Sequence, residues 1–60
     1  MMTTKEIIEE RINETKDTIS NFEKLMEKYP NDFVFQELLN RLKQTLILLE
    51  MEKEKYDKNN

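Results

Sequence analysis

Lys28-Tyr29-Pro30-Asn31-Asp32 decides how this chain folds, because it holds the single proline of a 60-residue sequence that has no glycine at all. A proline inside a helix removes one backbone donor, collides with the preceding turn, and drives the residue before it out of the α region. A helix arriving through Lys28 must therefore stop at Tyr29, and Asn31 or Asp32 can cap whatever follows. With no other strong breaker on either side, the two flanking segments are free to run as long helices.

The outer boundaries carry their own signals. Thr3 followed by Glu6 matches a capping box, in which a hydroxyl and a carboxylate satisfy amides that the first turn leaves unpaired. Glu6, Glu9 and Glu10 suit the positive start of a first helix, and Lys24 and Lys28 its negative end. The second segment repeats this polarity, with Asp32 and Glu37 early and Lys53, Lys55 and Lys58 late. The reading is a single domain spanning residues 1–60: a first helix over about 4–29, a loop at 30–31, and a second helix over about 32–57. Each helix is then ~38 Å long at ~1.5 Å per residue. Asn59 and Asn60 are expected to fray.

Apolar spacing says how the helices meet. Positions 8, 12, 15, 19, 22, 26 and 29 hold Ile, Ile, Thr, Ile, Phe, Met and Tyr, alternating by four and three in the manner of a heptad seam. In the second helix Phe35, Leu38, Leu42, Thr45 and Leu49 continue such a seam, and Val34, Leu39, Leu46 and Leu48 lie beside it. A tight loop makes the helices antiparallel, so facing residues have numbers that sum to about 61: Met26 with Phe35, Phe22 with Leu39, Ile19 with Leu42, Thr15 with Leu46 and Ile12 with Leu49. Toward the open end Ile8 meets Lys53 and Lys5 meets Tyr56, so the pairing weakens there. Thr15 and Thr45 are expected to bond back to the carbonyls of Arg11 and Arg41.

Composition restricts the chemistry. The chain has no Cys and no His, which removes disulfides, thiolates and imidazole ligands, and its carboxylates lack the glycine-containing loop of a calcium-binding EF-hand. No catalytic residue, metal site or cofactor site is expected, and an enzyme is not. Paired carboxylates such as Glu9 with Glu10, or Glu50 with Glu54, would need a cleft that shifts their pKa values before they could serve as general acid and base. Ten Lys and Arg stand against thirteen Asp and Glu, interspersed, for a formal net charge of −3. That balance disfavours nucleic acid, whose recognition leaves a clustered basic footprint. The longest apolar run, Leu46-Ile47-Leu48-Leu49, is far shorter than the ~20 residues of a membrane span, and residues 1–10 lack the basic and apolar regions expected of a signal peptide. No membrane association and a cytoplasmic location are expected.

Small domains bury a modest share of their surface, and one without disulfides or metals must find stability in oligomerisation or in unusually good packing. Four successive apolar residues on a helix point all round it, so at least one of Ile47, Leu48 and Met51 faces away from the seam. Leu39, Leu46, Ile47, Leu48 and Met51 are the candidate self-association residues. An all-α antiparallel hairpin pairing with a second copy into a four-helix bundle is the simplest closed arrangement.

Two surfaces are candidates for a partner. Tyr29, Phe33 and Phe35 cluster round the loop, either closing the core or offering an aromatic anchor. Arg41 and Lys43, with Asn40 and Gln44, form the one acid-free stretch of the second helix, and Arg11 and Lys16 could lie nearby. In architecture this resembles the Rop-type plasmid copy-number regulators, dimeric helical hairpins that bind RNA loop complexes. The resemblance is one of architecture and carries over no functional residue; an RNA-binding face here would be the stretch at Arg41 and Lys43. Phe35-Gln36-Glu37-Leu38-Leu39 is similar to the Ser-Gln-Glu-Leu-Asp signature of small helical-hairpin aspartyl-phosphate phosphatases at Gln36, Glu37 and Leu38. Phe35 and Leu39 stand where that family has its Ser and acting Asp, which puts the activity in doubt. The expected function is a small non-enzymatic regulatory, inhibitory or adaptor protein that homodimerises and binds another protein through apolar helix surface. The alternatives are the RNA-binding regulator and a purely structural oligomerisation module.

Overall fold

A computed structural model describes residues 1–58, so the expectation placed on Asn59 and Asn60 lies outside the described residues. Two α-helices, α1 (Thr4–Lys28) and α2 (Phe33–Lys58), pack against each other as a hairpin. The Cα trace measures 45 × 20 × 12 Å, a slab one helix thick and two helices wide.

Local chemistry accounts for each end. Thr3 is the N-cap of α1: its hydroxyl accepts from the Glu6 amide at 3.2 Å, and the Glu6 carboxylate accepts from the Thr3 amide at 3.4 Å, completing the capping box. At the other end the Tyr29 amide still donates to the Leu25 carbonyl at 3.0 Å, but Tyr29 itself has left the helical region at φ −129°, ψ 64°, as a residue before proline must. Pro30 and Asn31 then occupy the middle of a turn in which the Asp32 amide donates to the Tyr29 carbonyl at 3.2 Å. Proline's fixed φ suits that position. No described residue has positive φ, so the turn is made without glycine. Of the two candidate caps the structure uses Asp32, whose carboxylate accepts from the amides of Val34 (2.9 Å) and Phe35 (3.2 Å). Gln36 reaches back to donate to the Pro30 carbonyl at 3.0 Å, tying the turn to the first turn of α2.

The interface is one row of side chains. On α1 it runs through Ile8, Ile12, Thr15, Ile19, Phe22 and Met26, all buried or half-buried, as the spacing predicts; Tyr29 is exposed. On α2 the row differs from expectation. It runs through Phe35, Leu39, Leu42, Leu46, Leu49 and Lys53, and Leu38 and Thr45 are exposed. Both series leave Phe35 by heptad steps, and the alternation of three and four cannot choose between them. What decides is size and polarity: taking Leu46 in place of Thr45 buries a full aliphatic side chain instead of a hydroxyl. Thr45 and Thr15 bond to the carbonyls of Arg41 (3.0 Å) and Arg11 (2.7 Å), as the sequence leads one to expect.

Among the described residues only Ile12, Ile19 and Leu39 are more than nine-tenths buried. Near the turn, the Phe35 ring lies edge-on to Phe22, with centroids 6.0 Å apart, and tilted against Tyr29 at 6.1 Å. The expected partner of Phe22 was Leu39. Phe22 and Phe35 are four residues off a shared level, ~6 Å along the axes, which two long rings can bridge. At the open end the Lys5 ammonium meets the Asp57 carboxylate at 2.6 Å, one residue beyond the expected Tyr56.

Truncating the row should therefore matter far more than truncating the surface. Leu39→Ala is expected to cost about 2 kcal/mol or more, whereas Ile47→Ala should stay within ~0.5 kcal/mol. Asp32→Ala should cost ~1 kcal/mol through the lost cap. Urea unfolding followed by helical circular dichroism, at one fixed protein concentration, checks all three.

Candidate functional site

The candidate site is a surface and not a cleft, since a slab of two helices encloses nothing. Each core position on the two helices is flanked by one residue before it and one after it, and these flanks form two further rows. Antiparallel helices are related by a half-turn about the normal to the hairpin's plane, so the preceding rows of both helices share one broad face and the following rows share the other.

The two broad faces differ in chemistry. The preceding rows bring Ile7, Arg11, Glu14, Thr18, Asn21 and Leu25 of α1 beside Val34, Leu38, Arg41, Thr45, Leu48 and Glu52 of α2. Its aliphatic members are open to solvent, with Val34 65% and Leu48 63% exposed, and Ile7, Leu25 and Leu38 also exposed. Its charges balance, Arg11 and Arg41 against Glu14 and Glu52. The following rows carry Glu9, Glu23, Glu27, Glu50 and Glu54 against Lys16 and Lys43, with Ile47 as the one large aliphatic. Glu23 and Glu27 line a shallow groove there with Met26 and Leu39.

The residues singled out for self-association are divided by this geometry. Leu39 is buried within the hairpin and Leu46 half-buried in the same row. Leu48 stands on the balanced face. Ile47 lies on the acidic side and Met51 on the outer edge of α2, both about half exposed. The residues singled out for a partner are also separated. Phe35 turns into the seam, Tyr29 covers it while remaining 55% exposed, and Phe33 points away, 82% exposed, outside the aromatic contact. Arg41 is exposed and paired with Glu37 at 3.2 Å, one turn earlier, so part of its charge is already answered. Lys43 is exposed on the opposite broad face from Arg41. The two basic residues therefore do not form one patch.

Sequence reasoning passed over Ile7 and Leu25 as surface features and placed Leu38 in the seam. The signal was present: in every heptad a second row shadows the core one residue earlier, and it is aliphatic at five of its positions. Among the described residues no group of three or more acidic, His or Cys side chains is arranged to hold a metal ion. Among the described residues no helix is long and apolar enough to cross a membrane.

Among the described residues the one ion pair that joins the two helices, Lys5 with Asp57, lies at the open end. The hydrogen bond from Lys5, and then its charge, hold the Asp57 carboxyl below its ordinary range, and the same bond raises the Lys5 ammonium above its own. Asp57's contribution is present above its unfolded pKa and is lost as pH falls through the lowered folded value; that of Lys5 is present below its unfolded pKa and lost as pH rises through the raised one. The pair thus holds the helix ends together through neutral pH and releases them in acid and in strong base.

No family model matches this chain, and no curated protein or solved structure is similar to it.

Asp57→Asn should fray the last turn of α2 at neutral pH, read as lost helical Cα shifts at Tyr56. The wild-type chain should show that loss only in acid or strong base. Shifts that stay helical in the variant would mean that Lys5–Asp57 does not secure the end.

Proposed function

We propose that this chain is a small non-enzymatic regulatory or adaptor protein of the cytoplasm that self-associates, two hairpins forming a four-helix bundle, and binds another protein through apolar surface of α2. The observation that carries this reading is the imbalance between core and surface. Three residues are buried, while Phe33, Val34, Ile47, Leu48 and Met51 are each at least half exposed on one helix of 26 residues. Apolar surface of this density on a small domain supports a role in binding. Helices with such surface reach stability by packing against further helices.

The assignment to a protein partner, ahead of RNA, is supported by the separation of Arg41 from Lys43 and by the pairing of Arg41 with Glu37. Nucleic-acid binding requires cations gathered on one surface. The cytoplasmic assignment is supported by the absence of cysteine from the sequence.

Light scattering coupled to gel filtration, with circular dichroism across a dilution series, tests the reading. A helical dimer whose melting temperature falls on dilution is expected. A concentration-independent monomer would overturn self-association and leave all of the exposed α2 surface to an unlike protein. Leu46→Asp, which puts a charge into the seam, should dissociate the assembly and melt much of the helix. A folded dimer of unchanged stability in that variant would contradict the packing described above.

A further inference from the structure

We infer that the second copy docks on the charge-balanced broad face, through Ile7 and Leu25 of α1 and Val34, Leu38 and Leu48 of α2, and that Ile47 on the acidic face and Met51 on the outer edge of α2 stay free. The inference rests on the self-association proposed above and adds which surface performs it.

Three observations support that occupant. The first is charge. A symmetric dimer presses a surface against its own copy, so a face with a net charge repels itself. The face opposite carries five glutamates, Glu23 and Glu27 of the groove among them, against Lys16 and Lys43. Pairing through it would stack like charges and desolvate them. The docking face sets Arg11 and Arg41 against Glu14 and Glu52, so its own charges sum to zero and two copies meet without net repulsion.

The second is area. A slab of 45 × 20 Å offers roughly 900 Å² of projected face, against ~800 Å² per partner in stable protein complexes. The acidic face has the same extent but has few apolar side chains to bury. The outer edge of α2 is one helix wide and too narrow for a copy of this chain.

The third is periodicity. The aliphatic residues of the docking face follow the same heptad spacing as the core, offset by one position on both helices. A second layer of helices laid on them would repeat the seam geometry already used inside the hairpin. Thr18 and Thr45, small residues at the middle of this face, have their hydroxyls turned back to the carbonyls of Glu14 and Arg41 at 2.9 and 3.0 Å. Their donors are satisfied, so covering them strands no hydrogen bond.

The test compares two double variants of the full chain and two spin-labelled positions. Leu38→Lys with Leu48→Lys should weaken dimerisation on the order of 100-fold or more, measured by light scattering and sedimentation. Ile47→Lys with Met51→Lys should leave the dimer intact. Because the hairpin could unfold once separated, a second readout is needed, and the cysteine-free sequence provides a clean background for it. A nitroxide on Thr45→Cys should be immobilised and show spin–spin coupling between copies, whereas one on Ser20→Cys, on the acidic face, should remain mobile and uncoupled. A wild-type dimer that survives Leu38→Lys with Leu48→Lys, or that couples at Ser20 and not at Thr45, overturns the choice of face and leaves self-association standing. A wild-type monomer at every concentration overturns both.

Discussion

Two helices in contact share only a line. Each buries one stripe of its circumference against the other, and whatever apolar residues lie outside that stripe stay wet until something else covers them. This geometric limit governs the protein. It explains why, among the described residues, three side chains are more than nine-tenths buried although α2 alone has eight Ile, Val or Leu positions, and why the other aliphatic residues stand half-buried or exposed. Sixty residues without disulfides have no other reservoir of cohesion, so the question of function becomes one of what lies on the slab.

The hairpin itself was legible because its signals are local and redundant. Pro30, the absence of glycine, the Thr3–Glu6 box and the repeating acid-to-base polarity all specify the same two helices, and agreement across such levels is what makes a sequence define one fold. The α1 seam was equally plain, since only one heptad series there is apolar. On α2 two series leave Phe35, one through Leu38 and Thr45 and one through Leu39 and Leu46. Spacing alone treats them alike. The choice between them turns on what the seam buries: the series through Leu39 and Leu46 puts an aliphatic side chain where the other would put the Thr45 hydroxyl.

The candidate site was less legible for the same reason. Once the α2 seam takes Leu39 and Leu46 in place of Leu38 and Thr45, the surface residues beside those positions change their address. Leu38 moves out, Leu39 moves in, and Leu48 and Ile47 part to opposite broad faces. Arg41 and Lys43, two residues apart in sequence, likewise face different ways. A basic cluster in a linear sequence is a surface cluster only if the helix brings its members to one side, and a spacing of two does not.

The turn at Tyr29 to Asp32 has a consequence for how the chain reaches this structure. The contacts between the helices join residues on either side of that turn, so the loop to be closed grows from Phe22–Phe35 to Lys5–Asp57. Closure entropy rises with loop length, and the aromatic pair nearest the turn is the cheapest long-range contact to make. The hairpin therefore zips outward from Pro30, each turn of helix positioning the next. Formation of the short-range aromatic cluster belongs early in that process, and the salt-bridged ends are the last to join and the first to part.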